Sequence, residues 1–479
     1  MRTHDADTDS RLSFWRRVRE FAVPPSMIET ATARRRAGDW AGACAAAGID
    51  TDLAPRSVAR VHGREFAARL RDDLRHLAPD LLRWHLPRIA PRGLLRPGLT
   101  LSLARYVTEG PGPVRPVHLV VRTPPAWADA GQRISLALWD IADPGTDARR
   151  HPHHHPSPRF RLDLHRHLWD ARRTGELRTR SGADVRESVP EDEREAVPSG
   201  TWDMVPSGIR EALPDVRRCA AERWAAEAEI LLRAEGRSAG TVAVRLGARR
   251  RLLLELVTER DGSGPPVPRI ASVRTAPAPG GGARTPPVLP DAATWVPPDL
   301  DLLRTGWIEA DRLHPLVLAA LVPGHPVSGP ARPPDPAGEP RAVECRGARH
   351  RIGLVDGVLS PLDHDPAEIH REELLVALTG TPLPCLRAID EAHRRPDCLP
   401  GVRERLDHGD IAGALAVVEG LLGPGAVLRD GELRDELEAA ARQRITYGLY
   451  RAGLAEGPGR APYGRPGPRR PRPRHAALR

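Results

Sequence analysis

Proline and glycine decide where this chain can fold at all. There are 51 Pro and 43 Gly in 479 residues, and they are bunched. Residues 261–300 contain ten Pro and five Gly, and residues 323–340 contain seven Pro and three Gly. Proline fixes φ and has no N–H to donate, so such stretches cannot run as helix interiors or central strands. They are expected to be linkers or disordered loops separating independent structured parts. Disorder is also the expectation for the Arg/Pro tail over residues 458–479.

Between these breaks the apolar period changes twice. Residues 57–77 place Val58, Val61, Phe66, Leu70, Leu74 and Leu77 at helical spacing, with Ser57 as a cap and Ala78-Pro79 as the stop. A short turn over 80–86 carries Trp84. From residue 94 to 141 the period becomes two, which predicts strands over 99–106, 117–123 and 133–139. A second set, 229–234, 241–246, 252–257 and 270–274, predicts an antiparallel meander. A hairpin over 343–359 then precedes helices over 367–379, 386–393, 400–406, 411–422 and 432–454. In the last of these, Leu433, Leu437, Ala441, Ile445, Leu449 and Ala452 form one stripe.

The fold class read from this pattern is α+β, with helical N- and C-terminal modules flanking a central antiparallel β region. The expected segments are a helical module (1–90), β-strands (91–141), an irregular His/Pro-rich insert (142–214), a β-meander (215–276) and a linker (277–300). A helix (301–322), a Pro-rich linker (323–340), a hairpin with a helical module (341–457) and the tail (458–479) complete the chain.

Composition excludes several chemistries. The chain has no Lys and no Asn, so all 72 of its basic Lys+Arg residues are Arg. No P-loop lysine, Schiff base or Cys-His-Asn arrangement can exist without them. Arginine stays protonated and cannot act as a base in place of lysine. The formal net charge is +9, but seven Arg and no acid lie in residues 458–479, leaving a nearly neutral body. Nucleic-acid binding is therefore expected to be weak and confined to that tail. Five cysteines without a C-x-x-C fit neither a disulfide framework nor a zinc ribbon. The charged first 21 residues show no signal sequence and no run of 18 apolar residues occurs, so a cytoplasmic protein without a membrane segment is expected.

One internal duplication stands out. Residues 38–45 read Gly-Asp-Trp-Ala-Gly-Ala-Cys-Ala, and residues 409–416 read Gly-Asp-Ile-Ala-Gly-Ala-Leu-Ala. Gly38 and Gly409 are expected to close one helix in a left-handed conformation, and Asp39 and Asp410 to cap the next. Trp40, Cys44, Ile411 and Leu415 are then expected to be buried. The turn is similar to that of tetratricopeptide-type helical hairpins, though their 34-residue period is absent. The segments 76–88, 385–395 and 409–416 resemble uncharacterised actinobacterial proteins, a resemblance that implies no activity and transfers no site.

Candidate chemistry is sparse. The run His151, His153, His154, His155 has the density of an ad hoc metal chelate but reads as a low-complexity insert. If residues 160–168 form a strand, Asp163, His165 and His167 share one face, where H-x-H is a metal-ligand spacing but a solvated face is the plainer reading; a helix there would break the cluster up. Asp363, His364, Asp365 and His370 form the densest ligand set and could activate water on a metal, although Asp365 equally suits a helix cap. Residues 45–61 echo a helix-turn-helix, in which Arg60 and Arg64 would meet phosphate, but the connection is too long. Gly280-Gly281-Gly282 is a spacer within a Pro-rich stretch, not a phosphate cradle. The function expected is protein–protein interaction or scaffolding with an unidentified protein partner, no cofactor and no catalysis. The alternatives are a metal-dependent hydrolase at Asp363, His364, Asp365 and His370, and a nucleic-acid-binding regulator.

Overall fold

In the computed structural model the chain is an α+β protein. Described are residues 2–107, 116–141, 151–184, 209, 218–247, 250–259, 267–276, 285–325, 341–345, 347–380 and 383–455. They form two compact units: Met1–Pro125 with Ile134–Ser328, and Ala126–Arg133 with Gly329–Arg479.

Unit 1 begins with helices α1 (Arg2–Phe21), α2 (Pro25–Arg36), α3 (Trp40–Ala46), α4 (Pro55–His62), α5 (Arg64–His76) and α6 (Pro79–His85). The helix expected over 57–77 is thus two. Gly63, at φ 88, breaks it, which turns Val61 out to 73% exposure and leaves Ser57 inside α4 rather than at its cap.

Strand β1 (Ile49–Thr51) lies between α3 and α4, so the helix-turn-helix reading fails. The segment that would form its turn is instead hydrogen-bonded in a sheet. That sheet runs β1-β6-β5-β4, with a separate ribbon of two-residue strands, β2 (Arg88–Ile89) with β3 (Leu94–Leu95), lying between β1 and β4 in the chain. Strands β4 (Thr100–Val107), β5 (Pro116–Arg122) and β6 (Ile134–Trp139) pair antiparallel, and β1 joins β6 in parallel. Period-two alternation gives both faces work. Leu119, Val121, Ile134 and Leu136 enter the main core with Phe66, Leu70, Leu74 and Leu81, while Val120, Ala137 and Trp139 cluster apart.

The His/Pro-rich stretch follows β6 in the chain. Its described part, residues 151–184, has little regular structure beyond two 3₁₀ turns (Leu162–Leu164, Arg166–Leu168) and α7 (Glu176–Ser181). It nevertheless packs: Phe160, Leu162, Leu168, Trp169 and Leu177 are all in the main core. Successive tight turns can deliver apolar side chains to a core without any sequence period. Residues 142–150, 185–208 and 210–217 lie outside the described residues.

A strand expected over 229–234 is the end of α8 (Trp224–Ala234). The short run Ile230-Leu231-Leu232 cannot by itself distinguish strand from helix, whereas Trp224, Ala228, Leu231 and Leu232 share one helix stripe. They cover the meander β7 (Gly240–Arg245), β8 (Arg251–Glu259) and β9 (Val267–Ala276), filling a second core with Val242, Val244, Leu252, Leu254 and Leu256.

The described part of the 277–300 linker is also packed. Leu289 is fully buried, and Val288 bridges to Ala243. The prolines here start short helices, as at α10 (Pro298–Arg304), which follows α9 (Asp291–Thr294) and precedes α11 (Pro315–Leu321). Residues 277–284, 326–340 and 456–479, which include most of the Pro-rich linker and all of the tail, are outside the described residues.

Unit 1 is pinned by buried polar groups. Arg19 of α1 is 5% exposed and donates to both oxygens of Asp299 on α10 (2.6 and 2.9 Å). It also donates to the Trp84 carbonyl (2.7 Å) and stacks 4.5 Å over the Trp84 ring, whose indole N–H donates to Asp299. Beside it, His314 accepts the Leu316 N–H on Nδ1 (3.2 Å), which leaves Nε2 to donate to Asp80 (3.0 Å). A second network joins α5, β4 and the turn segment: Asp73 accepts from the Tyr106 hydroxyl (2.7 Å) and pairs with Arg166, which also holds Asp170.

Unit 2 contains the sheet β10 (Arg341–Cys345), β11 (Ala348–Val355), β12 (Val358–Pro361), antiparallel throughout. Helices α12 (Pro366–Thr379), α13 (Pro384–Arg394), α14 (Leu399–Asp407), α15 (Ile411–Leu422) and α16 (Glu432–Ala452) follow. Val402, Leu406, Ala414, Val418, Leu422 and Leu433 make its core. The segment 126–133, which connects β5 to β6 in sequence, belongs to this unit. Its Trp127 meets Tyr450 edge-on (5.4 Å), and Arg133 lies 6.0 Å over Tyr447.

Removing one member of a buried charge pair strands the other, at a cost of about 3–5 kcal/mol. Asp299→Ala should therefore lower the urea midpoint by that equivalent. Arg19→Met with Asp299→Leu should recover part of the loss. Equal stability of Asp299→Ala and the parent would contradict the role given to this pair.

Candidate functional site

The four residues of the possible hydrolase centre do not converge. Asp363 accepts from the Arg351 backbone N–H (2.8 Å) and guanidinium (2.9 Å), and the Arg351 side-chain bond holds its carboxyl down at about 2. Asp365 caps α12, accepting the Ala367 N–H (2.9 Å). His364 stacks on His350 with ring centres 4.1 Å apart. His370 is exposed, 3.8 Å from Glu373 on its own helix. Each group is committed to a separate local partner. Among the described residues no set of three or more His, Cys, Asp or Glu is placed to hold a metal.

The Asp163, His165, His167 set lies on two 3₁₀ turns, neither the strand nor the helix that the sequence left open, and its side chains go to separate partners. Asp163 pairs with Arg161 (2.8 Å), while His165 reaches Glu227 of α8 (3.3 Å). Burial raises the Glu227 carboxyl, but bonds from His165 and Arg180 outweigh it and hold it at about 2. His167 is almost fully buried, and desolvation keeps its imidazole well below the usual range. In the His run, His151 is a core residue: its two ring nitrogens lie 2.8 Å from the Thr123 carbonyl and 2.9 Å from that of His153.

The duplicated corners have the same geometry residue for residue. Gly38 (φ 77) and Gly409 (φ 84) each end a helix in the left-handed region. The N–H of Asp39 donates to the Arg34 carbonyl and that of Asp410 to the Arg405 carbonyl, closing matched Schellman turns. Each aspartate then caps the next helix, accepting from Gly42 (2.8 Å) or Gly413 (2.9 Å). The second carboxylate oxygen takes Arg34 or Arg405, both at 3.2 Å. An added Cβ at Gly42 or Gly413 would overlap the capping carboxylate as it stands, which would then have to turn aside. The matching arginine five residues before each aspartate was the legible signal outside the eight-residue match.

Burial after the corners differs from expectation. Cys44 is fully buried and Trp40 and Ile411 are half-buried, but Leu415 is exposed. In α15 the inward stripe is Ala414, Val418, Leu422, spaced four apart, and Leu415 lies off it.

What the sequence did not mark is a bare apolar surface on unit 2. No described side chain of α12 is buried, and Leu374, Leu375 and Leu378 are 56%, 48% and 85% exposed. The stripe expected along α16 is covered only at its start. Leu433 is in the core, but Ala441, Ile445, Leu449 and Ala452 are open to solvent.

Comparison of the chain with known protein families, curated proteins and solved structures finds no match. Among the described residues, no helix is long and apolar enough to cross a membrane.

Two outcomes follow from this geometry. Asp39→Ala and Asp410→Ala should each cost about 0.5–2 kcal/mol. Gly409→Ala should cost more than Gly38→Ala, because a Cβ at 409 would overlap the Gly131 carbonyl while one at 38 meets nothing. Thermal melts of the four variants decide the order, and equal losses at the two glycines would refute it.

The buried histidines set the response to acid. Desolvation lowers His85 and His118 to about 4. The unfolded chain takes up these protons near pH 6.5, the folded chain only near 4. Their contribution is therefore intact above pH 6.5 and lost as pH falls through that window. The urea midpoint should drop between pH 6.5 and 4, with a shallower slope in His118→Gln; an unchanged slope would remove His118 from this account.

Proposed function

We propose that this chain is a non-catalytic protein-interaction or scaffold protein acting in the cytoplasm. The observation that carries the reading is the exposed apolar surface of α12 and α16. Leu374, Leu375 and Leu378 of α12 and Ile445 and Leu449 of α16 lie open to solvent, and exposed apolar surface of this kind marks interaction sites. The fate of the candidate catalytic groups points the same way. Asp363, Asp365, His165 and His151 are each tied into caps, ion pairs or core hydrogen bonds, with no cleft that gathers them. The cytoplasmic placement is supported by Cys44 and Cys398, which are in no disulfide. Any nucleic-acid affinity is assigned to the tail over residues 458–479, where it would be weak and steeply salt-dependent.

Native mass spectrometry of the chain purified from its own host tests this reading. The protein should run in an assembly heavier than its 52.3 kDa chain. Leu378→Glu with Ile445→Glu should release the bare chain. Elemental analysis should find no stoichiometric metal. A full metal equivalent lost on His364→Ala with His370→Ala, or a bare chain in the unmodified protein, would overturn the proposal.

A further inference from the structure

In unit 1, strands β7 and β8 pair so that Arg245 faces Arg251 directly, at the last register position before their turn. Like charges facing each other across an antiparallel pair destabilise a sheet. Full exposure does not relieve this one, since both residues are half-buried. The Nε atoms of both are buried without a hydrogen-bond partner. Two more arginines act on the same point. Arg159 grips Asp291 at the start of α9, its Nε lying 2.6 Å from each carboxylate oxygen. Arg96, between β3 and β4, is exposed. Burial, with the charges of Arg159, Arg251 and Arg96, pulls the Arg245 guanidinium below its usual range. Asp291 is the one carboxylate among the charges that chiefly act on it, and Arg159 already holds that carboxylate. The nearest acid along this face of β8, Glu255, stands opposite Thr241 and accepts its hydroxyl (2.6 Å). Four guanidiniums thus meet one carboxylate. Among the described residues, no hydrogen bond or ion pair engages the side chains of Arg96, Arg245 or Arg251.

We propose that this corner of unit 1 binds a phosphate group, either inorganic phosphate or the phosphate monoester of a small molecule, with Arg245 and Arg251 as its donors and Arg96 at its rim. The site is independent of the interaction reading. Arg159, committed to Asp291, contributes charge and not a contact. A phosphate dianion offers several oxygens to planar guanidinium forks, which grip it by charge-assisted hydrogen bonds. Seated between Arg245 and Arg251, it turns their mutual repulsion into two attractive contacts and offsets most of the excess positive charge. The arginines gather round one carboxylate and do not line a stripe, which suits one compact phosphate group and not a nucleic-acid strand.

Calorimetric titration and thermal melts of the full chain with inorganic phosphate and with phenyl phosphate, at constant ionic strength, test this. Both probes should bind saturably and raise the melting temperature by mass action, and acetate should do neither. Tighter binding of phenyl phosphate assigns the site to an ester, and tighter binding of inorganic phosphate assigns it to the free ion. Arg245→Gln and Arg251→Gln should each weaken phosphate binding at least about tenfold, the loss of one hydrogen-bonded charge. Arg469→Gln with Arg470→Gln, in the basic tail, should leave it unchanged. In phosphate-free buffer Arg245→Gln and Arg251→Gln should melt no lower than the parent, because each relieves the facing repulsion. That measurement separates a lost site from a lost fold. A lower midpoint there would give the two arginines a structural role and overturn the proposal. So would a parent chain without saturable phosphate binding, or binding that survives Arg245→Gln with Arg251→Gln. An oligonucleotide bound through Arg245 and Arg251 by a chain that ignores inorganic phosphate would overturn it as well.

Discussion

A guanidinium buried among helices must find a carboxylate, and in unit 1 Arg19 finds Asp299. The two lie 280 residues apart and bring α1, α6 and α10 to one point, with the Trp84 ring as the floor. Only a few of their lone pairs and protons remain unmet, because Trp84 supplies both a carbonyl and an indole N–H. Such a site has little tolerance for misplacement, since an uncompensated charge there is worse than no charge at all. The apolar core around it is adaptable in comparison. Leu74, Leu81 and Leu101 could exchange shapes among aliphatic side chains, but the polar pair admits one arrangement. Buried networks of this kind are a means of specifying a unique packing in a chain with few aromatics to do so.

The same economy governs the histidines and carboxylates that chemistry would need. Buried His167 and partly buried His85 and His118 have their imidazoles lowered because desolvation outweighs their neighbours' charges. Glu227 stays ionised because His165 and Arg180 hold it. With arginine as the only long cation, carboxylates meet planar forks that bind them bidentately, which suits fixed structural pairs. Among the exposed large apolar side chains of unit 2 are Leu374, Leu375 and Leu378 of α12 and Ile445 and Leu449 of α16.

The fold was legible where one principle dominated. Strands β4, β5 and β6 and the C-terminal helices α13 to α16 show clear periods, and the structure places them within a few residues of expectation. The Gly-Asp corners were legible because left-handed glycine and a capping aspartate leave a local signature. Failures occur where local rules compete. Ile230-Leu231-Leu232 suits strand or helix, and the tertiary partner decides. Residues 151–184 and 285–300 carry turn-forming and Pro-rich composition yet are packed, because buried turns need only satisfied hydrogen bonds and not periodicity. The candidate metal set failed for another reason: Asp363, His364, Asp365 and His370 are close in sequence, but a turn and a helix start send them to different partners. Arg19 and Asp299 left no sequence trace, since no local pattern links residues so far apart.

The short segment 126–133 has a consequence for how this protein can be divided. It leaves the chain of unit 1 between two paired strands, supplies Trp127, Gly131 and Arg133 to unit 2, and returns. The second Gly-Asp corner fits so closely against it that Gly409 has no space for a side chain. Unit 2 is consequently a module without a single gene segment. A fragment starting at residue 329 would expose Tyr447, Tyr450 and the corner at 409 to water, and a fragment ending before it would carry an orphaned Trp127. A single cut in the chain therefore cannot separate unit 1 whole from unit 2 whole.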